Sequence, residues 1–244
     1  MAEPVVFGPI ARSGVSDAVY RQLRDAILTG ALAAGTSLPG ERALAEQFGV
    51  ARHGLREAIR RLQQARLVEV SHGGATRVLD WRTHAGLEVL GDLAASGELP
   101  GGVILRSALE MRLAIGVDAA RLAALRAGPV AAAEIEEFVT GSVGVSDPVV
   151  LAERYEQFWR LIVVAGENLA YQLAYNSLVT AMNQNVAATR ELSAPEAADL
   201  ATQRVLASAI AAADAEGAAS AARRLTSVML ERLGADGTVG TAVG

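Results

Sequence analysis

Between Leu38 and Leu62 the apolar positions recur three and four residues apart, in two blocks separated by a glycine. Ala43, Leu44 and Phe48 give the first block an apolar side, and Pro39 ahead of it pre-sets the backbone for a helix start. Gly49 is the residue type that takes the positive φ of a helix-ending turn. The second block starts near Ala51. At about 100° per residue, Leu55, Ala58, Ile59 and Leu62 share one face, and Arg52, His53, Arg56 and Arg60 lie roughly opposite. The pattern predicts helix, tight turn, helix. Upstream, Ser16 to Thr29 repeats the helical period through Val19, Leu23, Ala26 and Ile27, with Gly30 after it. Downstream, Leu67–Val70 and Thr76–Leu79 read as short strands joined through the glycine-rich segment Ser71–Ala75, a hairpin signal. Three helices and a hairpin over residues 14–79 make a winged helix-turn-helix. Taken alone, the arginine face is equally well an ordinary solvated surface. Its neighbours favour a helix built for the DNA major groove, where arginine forks onto guanine edges or phosphates.

Residues 1–13 carry no period and are expected to form a flexible arm. Residues 80–102 read as an ordered linker, a short helix with Leu87, Leu90 and Leu93 on one face, broken by Gly97 and Leu99–Gly102. From Val103 the helical period runs almost to the end. The predicted helices are Val103–Arg126, Ala131–Thr140, Val149–Ala165, Asn168–Leu192, Glu196–Ala213 and Glu216–Leu233. Residues 234–244 lack a period, and disorder is expected there. The fold class is therefore mainly α. An N-terminal winged helix-turn-helix precedes an antiparallel all-helical bundle over residues 103–233, which is expected to bind an effector and to dimerise.

Charge sharpens this division. The 244 residues carry a formal net charge of −5. Residues 1–78 hold ten arginines against seven acids, a net of +3, whereas residues 79–244 hold twelve against twenty, a net of −8. Lysine is absent, so every side-chain cation at neutral pH is a guanidinium. A basic end on an acidic bulk is the footprint of a regulator whose larger part does something other than touch DNA. No run approaches the ~18 apolar residues of a membrane span. The first residues lack a basic segment followed by an apolar core, so no secretory signal is expected and a cytoplasmic protein is. Cysteine is absent, and the three histidines, His53, His72 and His84, all precede the bundle. With no thiol and no imidazole base in the larger part, an enzyme is not expected, nor is a cofactor.

Candidate effector residues follow from side-chain chemistry. Arg112, inside the apolar run Leu109–Ile115, is the charge placed to point inward, and it needs Glu110, a carboxylate on another helix or an anionic ligand as its partner. Tyr155, Trp159, Tyr175, Met182 and Asn185 combine apolar bodies with polar tips suited to an amphipathic molecule, as well as to plain core. Arg223 and Arg224 either meet phosphates of a coenzyme A head group or face water. Thr226, one turn from Arg223, completes the candidate set.

Three stretches together carry a family resemblance: Leu38-Pro-Gly-Glu-Arg42, Ala51-Arg-His-Gly-Leu-Arg-Glu57, and the wing Ser71-His-Gly-Gly-Ala-Thr-Arg-Val78. They resemble the GntR family of bacterial transcriptional regulators, in its FadR branch with an all-helical (FCD) C-terminal domain. Asp80-Trp81, Phe158-Trp-Arg-Leu-Ile162 and Gly166-Glu-Asn168 look most like the fatty-acid-responsive members. The resemblance implies a homodimer reading a palindromic double-stranded DNA operator. The implied contacts come from Arg42, Ala51, Arg52, His53, Gly54 and Arg56, with His72 and Gly73 at the wing tip. Ala51 and His53 stand where the family commonly has hydroxyl residues. The hydroxyl cap lost at Ala51 is worth roughly 1 kcal/mol. Gly54 costs about as much relative to alanine, or else allows close approach to DNA. Many such bundles hold a divalent metal through three histidines and an Asp or Asn. Here Tyr155 and Trp159 fall at the first two ligand positions, and Gln203 and Leu225 near the later histidine positions, so no metal is expected. The implied effector is a long-chain acyl-CoA or related lipid. The alternatives are a small carboxylate or other metabolite sensed by the same fold, and a helical interaction protein that does not bind DNA. Effector binding would favour a bundle arrangement in which paired recognition helices no longer match the half-site spacing, with the Leu87–Leu93 helix transmitting the movement.

Overall fold

The computed structural model describes residues 14–71, 75–96, 101–183 and 186–235, which fall in two compact units, residues 1–98 and 99–244. The first unit holds α1 (Gly14–Leu28), α2 (Glu41–Phe48), α3 (Arg52–Gln64), β1 (Val68–Val70), β2 (Thr76–Val78), α4 (Trp81–His84) and α5 (Leu90–Ser96), with a 3-10 turn over Leu87–Val89. The apolar face of α3 sets its core. Leu55, Ala58 and Leu62 are fully buried, against Leu23, Ile27 and Leu28 of α1 and Leu44 of α2. In α2 it is Ala45, rather than the sequence-predicted Ala43, that joins Leu44 in the core, while Phe48 is half-buried. Gly49 closes α2 at φ 64° and ψ 32°, its N–H returning to the Ala45 and Glu46 carbonyls. That left-handed conformation is what the turn into α3 requires.

The strands pair antiparallel with Val68 opposite Val78, Glu69 opposite Arg77 and Val70 opposite Thr76. Their inward residues Val68, Thr76 and Val78 are buried. One pairing escaped the sequence pattern: Ser37 bridges Arg77, and the Leu38 N–H donates to the Thr76 carbonyl at 2.7 Å. The segment before α2 thus adds a short third edge to the hairpin.

The single helix expected over residues 80–98 is instead α4, the 3-10 turn and α5 in succession. Asp80 caps α4 through the Arg82 N–H at 3.0 Å, and the chain leaves it extended at Ala85 and Gly86. Val89 and Leu93 are buried, with Leu87 and Leu90 half-buried. Asp92 on α5 accepts Arg24 Nη1 at 2.5 Å and the Tyr20 hydroxyl at 3.1 Å, both from α1. Burial and the Asp92 carboxylate push the Tyr20 hydroxyl up to about 12.

The second unit packs α6 (Gly101–Arg126), α7 (Pro129–Thr140), α8 (Pro148–Ala165), α9 (Leu169–Met182), α10 (Val186–Ala198), α11 (Leu200–Ala211) and α12 (Ala215–Ala235) into an all-helical bundle. Its most extensively packed pair is α6 and α12, and alanines from both lie buried in one core cluster: Ala120 and Ala123 on one, Ala218, Ala221 and Ala222 on the other. Small side chains let the backbones approach. Gly116 extends the seam, since a Cβ there would sit 3.4 Å from both Thr226 and Trp159. Helix α8 supplies the bulk of the core through Phe158, Trp159 and Ile162.

Two predicted helix breaks move. The helix expected over Asn168–Leu192 divides into α9 and α10, with Asn183 as the C-cap of α9. The break expected at Ser193–Pro195 does not occur. Helix α10 runs through Pro195 to Ala198, and the chain breaks at Asp199, which caps α11 through the Thr202 N–H at 2.9 Å. Proline removes one donor but does not by itself end a helix that packing holds on both sides. Phe158 is 0% exposed at the centre of this bundle. Phe158→Ala is expected to cost about 3–5 kcal/mol, measured as the loss of unfolding free energy in urea titration.

Candidate DNA-reading face and bundle cavity

Burial on one side of α3 determines what the other side presents. With Leu55, Ala58, Ile59 and Leu62 inside, Arg52, His53, Arg56 and Arg60 are exposed. Ala51 occupies the N-cap in an extended conformation and makes no side-chain cap bond, so the helix begins without the usual hydroxyl acceptor. Gly54 is half-buried, and a Cβ there would meet only Val15 Cγ1 at 4.0 Å. Packing within the unit therefore does not demand a glycine at this position.

The exposed arginines are held by weak partners. Arg56 Nε reaches Glu41 at 2.7 Å across the turn, and Arg42 Nε reaches Glu46 at 3.0 Å within α2. Their side chains are 66% and 79% exposed, respectively. Solvent-exposed pairs of this kind contribute about 0–1 kcal/mol, so exchanging them for phosphates or base edges costs little. Arg61, by contrast, is turned inward, its guanidinium 4.1 Å over the Tyr20 ring and bonded to Asp17. It braces α3 against α1 rather than joining the reading face. His72 and Gly73 lie outside the described residues.

In the bundle, a cavity of about 380 Å³ opens between α6, α8, α9, α10 and α12. Arg112, Tyr155, Trp159, Tyr175 and Met182 all line it. Thr226 lines a small adjoining recess with Trp159 and Arg112, its hydroxyl donating to the Ala222 carbonyl at 2.8 Å. Arg223 is exposed on α12 and is not among the lining residues. Asn185 lies outside the described residues. Leu178, Val179 and Met229 add apolar wall, and Glu153, Glu156, Thr189, Arg190 and Ser193 add polar wall. None of these was singled out by sequence pattern.

The electrostatic centre is a residue the sequence analysis did not single out. Glu196, with a fully buried side chain, accepts Arg112 Nη2 at 2.6 Å and the Tyr155 hydroxyl at 2.8 Å on Oε2. Its Oε1 accepts the Met229 N–H at 2.9 Å. Arg112 Nη2 also donates to the Tyr155 oxygen at 3.0 Å. The partner of Arg112 is therefore a carboxylate on another helix and not the neighbouring Glu110. Burial alone would lower the Arg112 pKa, but Tyr155 and Glu196 outweigh it and raise the value. Burial raises the Tyr155 hydroxyl, with Arg112 opposing and Glu196 reinforcing. Both groups stay locked in their neutral-pH forms.

Trp159 Nε1 is buried without a hydrogen-bond partner. Against the larger effect of burial, its N–H lowers the Tyr155 hydroxyl slightly. Tyr175 donates to the Glu156 carbonyl at 3.0 Å, and Tyr171 is drawn to Asp118, also at 3.0 Å.

The positions that would carry a bundle metal hold a phenol, an indole, an amide and a leucine. Gln203 is committed to the Glu196 and Ala197 carbonyls, both at 3.1 Å. This donor set does not fit a divalent ion, which needs converging imidazoles and carboxylates.

Comparison with known proteins accords with this arrangement. Residues 15–78 match the family described as bacterial regulatory proteins, gntR family, and residues 107–227 match the FCD domain. The HTH-type transcriptional regulator Mce2R of Mycobacterium tuberculosis (strain CDC 1551 / Oshkosh) is 37% identical over 89% of this chain and 90% of its own. The fatty acid metabolism regulator protein of Serratia proteamaculans (strain 568) is 33% identical over 59% of each chain. Among solved structures, Streptococcus agalactiae GntR aligns at a TM-score of 0.47 with 21% identity, covering 89% of this chain and 99% of that one. The family matches over both units and the extended identity to Mce2R show that this chain belongs to the GntR family of bacterial transcriptional regulators, in its FadR branch, with a helix-turn-helix domain followed by an all-helical FCD domain.

Proposed function

We propose that the chain acts as a cytoplasmic homodimer in which α3 of each copy reads one half of a palindromic operator. In this reading residues 14–79 are the DNA-binding domain, residues 80–102 the linker, and residues 103–233 the effector-binding and dimerisation domain. Arg42, Arg52 and Arg56 contact bases or phosphates, and His72 and Gly73 reach the DNA from the wing. The single observation that carries the DNA assignment is the division of α3 into a buried apolar face and an exposed face bearing Arg52, His53 and Arg56.

A ligand held in the bundle cavity lowers operator affinity by favouring a state less competent for DNA. At about 380 Å³ the cavity falls within the roughly 300–1,000 Å³ of small-molecule sites. Its wall is more apolar than polar, with Leu178, Val179, Met182 and Met229 beside charged and hydroxyl side chains. That mixture, with the fatty acid metabolism named for the Serratia relative, supports a long-chain acyl-CoA or related lipid as effector.

Arg52→Ala combined with Arg56→Ala is expected to abolish specific operator binding and flatten its salt dependence. The measurement is a gel-shift titration at two salt concentrations, on duplexes selected by the wild-type protein from a random pool. Unchanged mass in sedimentation would show that the assembly is intact, whereas retained specific binding would remove α3 from the reading role. Gly54→Ala separates two explanations of that glycine. It should raise stability by up to ~1 kcal/mol, because the space for a methyl is open. A simultaneous fall in operator affinity would assign the glycine to close approach of DNA, and unchanged affinity would exclude that role.

A further inference from the structure

A cluster of charged and aromatic side chains in the first unit takes no part in the reading face. On α1, Asp17, Tyr20 and Arg24 stand three and four residues apart, the spacing that puts side chains on one side of a helix. Each end of this row holds a different element. At one end the Arg61 guanidinium of α3 lies 4.1 Å over the Tyr20 ring and bonds Asp17. At the other, Asp92 of α5 accepts Arg24 Nη1 at 2.5 Å on Oδ1 and the Tyr20 hydroxyl at 3.1 Å on Oδ2. Tyr20 is 8% exposed. It therefore bears α3 on its ring and α5 on its hydroxyl.

The two kinds of contact that hold α5 fix different things. With seven residues, α5 is too short to persist without tertiary support. Burial of Val89 and Leu93 keeps it on the unit, but apolar burial is non-directional and sets neither roll nor tilt. Charge-assisted bonds are short and directional. Here both oxygens of one carboxylate are engaged, by side chains one turn apart on α1. Arg24 keeps a second acid in Asp25 at 2.7 Å, so loss of Asp92 leaves it paired rather than stranded. Loosening this joint falls on the angle of α5 more than on the fold of the unit.

We propose that Asp92, acting through Tyr20 and Arg24, fixes the angle between α5 and α3 and thereby determines which separation of operator half-sites the protein accepts. This rests on the dimeric reading given above and deepens it. Helix α5 is the last described element of the first unit, and the chain runs on from it into the bundle assigned to dimerisation. A reading helix held at one angle to that exit meets the groove at one separation. One added base pair turns the second half-site by about 35° around the duplex axis, so a stiff joint rejects it and a loose one follows it. Asp92, Tyr20 and Arg24 are positioning residues, since none of them touches DNA in this arrangement.

The test is a gel-shift titration of the full chain on duplexes that keep the half-sites selected by the wild type but lengthen or shorten the gap between them by one or two base pairs. A duplex with a single half-site is the reference. The wild type is expected to lose about ten-fold in affinity at each altered spacing. Asp92→Ala removes both bonds to α1 and should reduce that discrimination several-fold, with single-half-site affinity unchanged. Tyr20→Phe keeps the ring beneath Arg61, removes the bond to α5 and should act in the same direction. A wild-type spacing profile in Asp92→Ala overturns the proposal. So does a fall in single-half-site affinity that accounts for the whole effect, because the cluster would then brace α3 alone. A wild type that binds two half-sites no more tightly than one overturns the dimeric reading, and the proposal with it. Circular dichroism verifies folding, and Tyr20→Phe decides the matter by the same criteria if Asp92→Ala does not fold.

Discussion

One carboxylate ties four helices of the bundle together. Glu196 comes from α10, Arg112 from α6, Tyr155 from α8, and the Met229 N–H from α12. A buried carboxylate without partners would be very costly, and a buried guanidinium equally so. Each is tolerable only because the other stands in place and the phenol and the amide occupy the remaining lone pairs. Such a cluster adds little net stability compared with a well-packed apolar substitute, whereas losing one member costs about 3–5 kcal/mol. Its physical effect is to penalise arrangements of these helices in which the four groups fail to meet. The cavity lies against that cluster, so its shape and its polarity are set by the same contacts.

The first unit follows a different logic. Its geometry comes from apolar packing of α1, α2 and α3 around Leu55 and Leu62, and the guanidinium groups of Arg42 and Arg56 are left outside on weak partners. In the bundle one ion pair, Arg112 with Glu196, is inside and strongly bonded. Guanidinium groups thus serve two purposes in one chain: exposed, weakly held contacts on α2 and α3, and a buried joint at Arg112.

Much of this was legible in the sequence, for physical reasons that also mark where legibility stops. Helix α3 could be read because its period is strict and Gly49 marks its start. The hairpin could be read because its valines alternate around glycines. The division of Asn168–Leu192 was hidden because the polar residues after Met182 interrupt the period without glycine or proline. Pro195 misled in the opposite direction, since a proline signals a break only where packing does not hold the helix. Arg112 was visible as a charge in an apolar run, but its partner stands 84 residues away, on a helix whose boundary had been misplaced. The sequence pattern places Glu196 at the start of the predicted helix Glu196–Ala213, and nothing there marks it as the partner of Arg112. Local pattern identifies which charge needs a partner, while the partner itself is a property of the tertiary fold.

The absence of lysine bears on how the exposed face of α3 can be regulated. Guanidinium groups hold their charge at every physiological pH, and Nε-acetylation, the common covalent route to silencing a basic surface, finds no lysine amine on this chain. Proton concentration and acyl transfer to lysine are therefore closed as means of switching the arginines off. On the reading proposed above, release from DNA falls to displacement of α3 with its guanidinium charges intact.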